Sequence, residues 1–422
     1  MNERCMATRR LFLRSSGLAL ASFGLAPRVL IRALQAAEPA GRRLVVVFQR
    51  GAMDGLNAVV PFAEKAYRRA RPTIAIPEPR RRGAAGEAAL DLDGFFGLHP
   101  ALEPLRPLWA EGSLAAVHAV GSPDPTRSHF DAQDFMESGT PGRKSTEDGW
   151  LNRALRASPL PGATPLRAVA MTPTLPRSLA GTAPAVALAR LKGFRLRPDG
   201  AGTSAGAGFE GMYGGAVESA LHDTGRETFE ALEFLKRVRP EAYRPAAGAT
   251  YPRGRFGEAL RQVAQLFKAD VGVQLAFVES TGWDHHAVEG GVTGQLASRL
   301  RELGGGLAAF HRDMGAAMGG VAVVTLTEFG RTVRENGNRG TDHGHGSVSF
   351  VLGGTVRGGR VHGRWPGLDA GSLHEGRDLP VTTDFRDLLG EILARHLGVR
   401  DLAAVFPGHA ASAAAFPGVL SG

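Results

Sequence analysis

The sequence predicts an α/β protein, a three-layer α/β/α sandwich built on a mainly parallel sheet. Three observations lead there: short β-branched and apolar runs that stop at Gly or a polar cluster, helical stretches between them, and ligand-type residues gathered where the runs end. In chain order the expected strands are Leu44–Phe48, Leu114–Val120, Val271–Val278, Val321–Thr327 and Val348–Leu352. A helix is expected to open at Ser128 and run through Asp131, Asp134, Phe135 and Met136. A second spans Leu296 to Met314, where near-helical apolar spacing is interrupted by Gly304-Gly305-Gly306. A third, Asp384–Leu397, starts at an N-cap residue and ends at Gly398.

Residues 1–40 stand apart. Thr8-Arg9-Arg10-Leu11-Phe12-Leu13-Arg14, an apolar stretch from Leu18 to Ala26 and small residues at Ala36 and Ala37 have the order of a signal peptide read by the twin-arginine route. That route carries folded cargo, so the expected location is periplasmic or secreted, with the Tat translocon as partner during export. Residues 41–422 would then form the α/β domain. No later run of eighteen apolar residues is present, so no transmembrane segment is expected.

Cys5, the only cysteine, lies within the signal, which excludes disulfides, thiolate ligands and a cysteine nucleophile from the remainder. The net charge of +9 overstates any case for an anionic polymer as partner. Residues 1 to 37 hold six Arg and one Glu, a net +5, so the rest carries +4. Arg68-Arg69-Arg71 and Arg80-Arg81-Arg82 lack interleaved aromatics and a nucleic-acid-binding motif, so they read as solvated surface and no nucleic acid is expected. From about 195 to 215 the chain turns Gly-, Ala- and Ser-rich, a mobile loop within a helical insertion or lid at about 175–260.

In open α/β sheets ligands bind outside the carboxyl ends of the strands. Four expected strands run into clusters there: Arg50 to Asn57 with Asp54; Ser122 to His129 with Thr126, Arg127 and Ser128; Trp283-Asp284-His285-His286; and Glu328-Phe329-Gly330-Arg331. A fifth, Thr341-Asp342-His343-Gly344-His345-Gly346, precedes its strand. Carboxylates and imidazoles are the ligands left without thiolate, and a mixed O/N set suits Zn²⁺, Mn²⁺ or Fe²⁺. Four of the thirteen histidines fall in two of these clusters, although singly each has the ordinary reading of a hydrogen-bonded core residue. Arg50, Arg127 and Arg331 can hold an anion through paired donors or serve as salt-bridge partners. Ser128 is a candidate nucleophile and equally a plain N-cap; Thr126 is the second hydroxyl.

Gly51 to Asn57, Arg127-Ser128-His129-Phe130-Asp131, Gly282 to His286, Thr327 to Thr332 and Gly340 to Gly346 resemble the motifs of the twin-arginine-exported family called domain of unknown function 1501. That family looks like a branch of the alkaline phosphatase-like superfamily, which includes sulfatases and metal-dependent phosphomutases. The resemblance implies metal ligands at Asp54, at Asp284 with His286 or His285, and at His343 or His345, while Asp342-His343-Gly344 is similar to an Asp-His-Gly signature. It implies a nucleophile at Ser128 or Thr126. Where the superfamily ends a strand in Asp-His, Glu328-Phe329 stands here, which leaves one of two metal sites altered or lost. Pro125-Thr126-Arg127 resembles the tail of the sulfatase signature, but Pro123 occupies the place of its modifiable residue and excludes formylglycine chemistry.

The expected function is therefore an exported, metal-dependent hydrolase of a phosphate or sulfate ester, its substrate a small-molecule or glycan anionic ester, with Arg127 or Arg50 offsetting the anionic charge. The alternative is a non-catalytic exported metal-binding protein of the same fold that binds a glycan or an envelope partner. On either reading Asp284, His286, Asp342 and His343 should meet, with Asp54 and Glu328 near the same crevice.

Overall fold

The computed structural model describes residues 41–79, 87–191 and 242–421. The signal segment, Arg80-Arg81-Arg82 and the Gly-rich stretch with most of the expected insertion lie outside the described residues. The first strand, β1 (Arg43–Arg50), is buried on both faces, as its unbroken apolar run requires. Leu44, Val46 and Phe48 enter one core, while Val45 and Val47 enter the other. It lies at the middle of a mixed sheet completed by β2 (Leu114–Gly121), β3 (Ala168–Ala170), β4 (Val186–Ala187), β5 (Leu275–Thr281), β6 (Val321–Thr327), β7 (Ser347–Gly353), β8 (Val361–His362) and β9 (Thr383–Asp384). The order is β8-β2-β7-β6-β1-β5-β3-β4, with β9 also paired to β2.

Helices cover both faces. Helices α1 (His129–Ser138), α2 (Trp150–Ala157) and α5 (Phe385–Glu391) bury residues in the core of Leu44 and Val46, while α3 (Arg255–Lys268) and α4 (Gln295–Met314) do so in the core of Val45 and Val47. The molecule is thus the three-layer α/β/α arrangement with a mainly parallel sheet. Among the described residues no helix is long and apolar enough to cross a membrane.

Several boundaries differ from the sequence expectation. The strand expected over 271–278 begins only at Leu275, because Asp270 (φ 50°) and Gly272 (φ 86°) turn the chain ahead of it. Helix α4 runs unbroken through Gly304-Gly305-Gly306. A Cβ at Gly306 would stand 2.6 Å from Phe256 of α3, so small residues there permit close helix contact at a small cost in propensity. The helix after Asp384 is regular only to Glu391; Ile392–His396 widens into a π-helical turn before Gly398.

Register decides where the site can form. In the parallel pairs Arg50 lies opposite Thr281, and Gln49 opposite Thr327, so the chain leaves β1, β5 and β6 side by side. Strand β7 is the exception, antiparallel to both β2 and β6. Ser347, its first residue, pairs with Val120 near the end of β2. The polar cluster that precedes β7 is thereby delivered to the edge where the other clusters follow their strands.

Candidate metal centre

Among the described residues, one group of metal-ligating side chains converges: His129, Asp284 and His343. His286 adjoins it, with Nε2 3.0 Å from Asp284 Oδ1 and 2.9 Å from His343 Nε2. His343 Nε2 lies 3.5 Å from the same carboxylate oxygen, and His129 Nε2 lies 3.5 Å from Asp284 Oδ2. Ligand atoms 2.0–2.1 Å from a tetrahedral ion stand roughly 3.3 Å from each other.

The opposite edge of each ring explains the convergence. His129 Nδ1 donates to Glu328 Oε1 at 2.8 Å, His343 Nδ1 to the carbonyl of Arg127 at 2.7 Å, and His286 Nδ1 to Asp342 Oδ1 at 3.2 Å. An acceptor on Nδ1 fixes the tautomer and leaves the Nε2 lone pair facing the centre, which is how metal-binding imidazoles are oriented. His286 and His343 then aim lone pairs at each other, and His129 Nε2 is a buried atom with no hydrogen-bond partner. A cation between them satisfies all three nitrogens, so the residues fit a divalent ion.

Local sequence sets each position. Ser128 caps α1, its Oγ accepting from Asp131 N, so His129 opens the first turn; Gln133 lies one turn on and also donates to Glu328. The Glu328 carboxylate is fully buried and holds three donors on Oε1, from His129, Gln133 and Gly51 N, with Thr327 Oγ1 on Oε2. Burial opposes its ionisation, but these bonds outweigh it and hold its pKa below the usual range. The Glu328 contact in turn raises the His129 pKa. Buried Arg331 clamps the floor through the carbonyls of Gly51, Ala52, Trp283 and Thr341, and reaches Asp284 Oδ1 at 2.6 Å. That contact overcomes partial burial and keeps the Asp284 pKa low. Phe329 packs its ring against those of His129 (4.9 Å) and His343 (5.0 Å). Gly51 has φ 116°, and a Cβ there would stand 2.7 Å from Asp284 N, so this crossing of two loops admits glycine alone.

The structure thus brings Asp284, His286, Asp342 and His343 together, with Glu328 directly behind. It does not bring in Asp54, His285 or His345. Asp54 caps a one-turn helix at Gly55–Ala58 and pairs with Arg71, both carboxylate oxygens engaged and the residue 2% exposed. His285 is buried, which lowers its pKa to about 4. His345 stacks on His374 at 4.4 Å, its pKa brought to about 4 by burial and by that neighbour.

Reading Arg71 as part of a solvated cluster is corrected: it is fully buried and donates to Asp54, to Asn57 Oδ1 (2.7 Å) and to the carbonyls of Thr332 (3.0 Å) and Val333 (2.9 Å). The three arginines at strand ends all have acidic partners. Arg50 binds Glu137 and Glu279, Arg127 binds Glu375 and Asp378, and Arg331 binds Asp284. Ser128 is exposed and capping; Thr126 Oγ1 accepts from Ser128 N at 3.2 Å.

The sequence reading assigned no metal role to His129. The available signal was its position one residue beyond an N-cap, directly after an expected strand.

The family model described as "Protein of unknown function (DUF1501)" matches residues 109–407. The chain belongs to this family. The span matched in this DUF1501 protein takes in all four converging side chains and Glu328, and begins after Asp54 and Arg71. No curated protein matches the chain. Among solved structures, the chain is similar to the C-terminal periplasmic domain of EcEptC from Escherichia coli in complex with Zn, at 10% identity and a TM-score of 0.36, over 75% of this chain and 74% of that one.

Proposed function

We propose that the protein is an exported, metal-dependent hydrolase of a phosphate or sulfate ester. The observation that carries this reading is the aim of three imidazole Nε2 atoms at Asp284, each Nδ1 being tied to an oxygen behind it. His129, Asp284, His286 and His343 would hold a divalent ion, which would supply Lewis acidity toward an ester oxygen. The donor set, nitrogen and oxygen without sulfur, suits Zn²⁺, Mn²⁺ or Fe²⁺.

The chain's own residues do the positioning. Arg331 keeps Asp284 ionised, and Glu328 and Asp342 hold two of the three tautomers while offsetting positive charge. Ser128 stands between Arg127, whose carbonyl orients His343, and His129, so its exposed hydroxyl is the first nucleophile candidate, with Thr126 the second. Export through the twin-arginine route rests on Arg9-Arg10 and places the chemistry in the periplasm or beyond, on a small-molecule or glycan ester.

One observation favours the second reading, an exported protein that holds an ion without catalysis and binds a glycan or envelope partner. Arg50, Arg127 and Arg331 all stand in ion pairs, so none of these three is left over for an ester anion. Metal analysis of protein purified from its native compartment, followed by a panel of phosphate and sulfate esters, separates the two. Bound metal with turnover that chelation abolishes is expected. Bound metal with no turnover of any ester supports the second reading, and a chain that takes up no Zn²⁺, Mn²⁺ or Fe²⁺ overturns both. His286→Ala should lower metal content and thermal stability together, since an ion that binds only the folded state stabilises it.

A further inference from the structure

A cavity of about 950 Å³ opens at the carboxyl ends of β3 and β5, where Met171 and Thr172 follow one strand and Glu279 and Thr281 close the other. This is the crevice position at which open α/β sheets bind ligands. It adjoins the loop that carries Asp284, because Arg299 on its wall places Cδ 3.7 Å from where a Cβ of Gly282 would stand.

Its charges are unequal. Each carboxylate on the wall already has a guanidinium: Glu279 has Arg50, Glu302 has Arg299, and Glu258 has Arg261. Arg190, Arg253 and Arg255 also line the cavity, and among the described residues none of them has an acidic partner. Gly254 begins α3 without a side-chain cap and faces the same space. The first-turn N–H groups of a helix add partial positive charge.

We propose that this cavity is a second binding site, for a multiply anionic glycan. The volume exceeds what one phosphate or sulfate fills and lies in the range of pockets that enclose organic ligands. Three unpaired guanidiniums bind charged groups through paired donors. Thr281 and the carboxylates of Glu279 and Glu302 give hydroxyl groups their hydrogen-bond partners. Phe256, the single aromatic on the wall, is 3% exposed, so no ring face is presented for a base to stack on, and the charged wall does not suit an acyl chain. The inference does not depend on ester hydrolysis at the imidazole cluster.

Titration calorimetry of the full chain with a sulfated disaccharide and its desulfated counterpart tests it. The sulfated probe should bind at least tenfold more tightly, and its affinity should fall with added salt. Arg253→Gln combined with Arg255→Gln, both exposed positions, should weaken it at least tenfold while bound metal is unchanged. Arg190→Gln is the second variant, expected to weaken binding severalfold. His286→Ala should lose metal and keep the probe. Equal affinity for the two probes, unchanged affinity in the arginine variants, or loss of the sulfated probe in His286→Ala alone would overturn the proposal. None of these outcomes depends on turnover, so failure here is distinct from failure of the hydrolase reading.

Discussion

Two polar centres lie at the carboxyl edge of the sheet, built from the same residue types and opposite in character. Around Asp54 the side chains are buried and tied to one another: Arg71 answers the carboxylate, Tyr67 donates to Asn57, and Thr341 donates to Glu289. Burial and the charge of Asp54 push the Glu289 pKa well above the usual carboxylate range. Around Asp284 the side chains are partly exposed, 22% at His343 and 44% at His286, and the imidazole lone pairs stay unspent. At Asp54 the buried guanidinium of Arg71 engages both carboxylate oxygens, whereas at Asp284 buried Arg331 takes Oδ1 and leaves Oδ2 beside His129 Nε2. The first centre holds the loops together, and the second holds its donors ready.

Four experiments sharpen or break this contrast. Among the substitutions the largest effect is expected from Arg71→Ala, which leaves the buried Asp54 charge without its partner and should cost about 3–5 kcal/mol in chemical denaturation. Metal content of the folded fraction should be unchanged; its loss would show that the two centres are one.

Acid is the next test. Burial lowers the pKa of His99 and His118 to about 4, from 6.5. Their folded values lie below the unfolded ones, so the unfolded chain takes up the protons first as pH falls. Stability should be complete above 6.5 and decline toward pH 4, by about 3 kcal/mol per pH unit for the pair. A denaturation midpoint that is flat between pH 6.5 and 5 would contradict the buried, neutral state of these rings.

Glu328→Gln changes the group behind His129 without touching an ion. Metal affinity should fall about 10–100-fold with little change in fold, measured by competition with a chelator. An unaltered affinity would mean that His129 is not a ligand. The smallest effect belongs to Ser128: as the α1 cap, Ala should cost about 1 kcal/mol and Gly only a few tenths. If Ser128 is also the nucleophile, both variants should lose turnover at constant metal content, with Thr126→Ala as the control.

The sandwich was legible because apolar runs and ligand clusters alternate along the chain, and β1, β2 and β6 lie within a residue or two of where their runs place them. The meeting of Asp284 with His343 was legible from the clusters at 284–286 and 341–346. Less legible was the choice among neighbours. Asp284, His285 and His286 are consecutive, and only the turn at Gly282 and the crossing at Gly51 decide which side chains face the crevice. Asp54 misled because its partner, Arg71, lies seventeen residues on in a run that reads as surface. The antiparallel sense of β7 depends on long-range pairing that no local pattern encodes.

That strand also dictates when the centre can exist. Strand β7 lies between β2 and β6, which do not pair with each other, so until it docks the sheet is two separate ribbons. One ribbon leads into His129, the other into Asp284 and Glu328. The bond from His343 Nδ1 to the Arg127 carbonyl spans 216 residues, and that from His129 to Glu328 spans 199. Contacts of such separation form late, after the entropy of closing long loops has been met. If the imidazole cluster holds an ion as proposed, a nascent chain emerging from the ribosome cannot take it up until residue 347 and beyond have folded back, which would make metal capture one of its last acts of maturation.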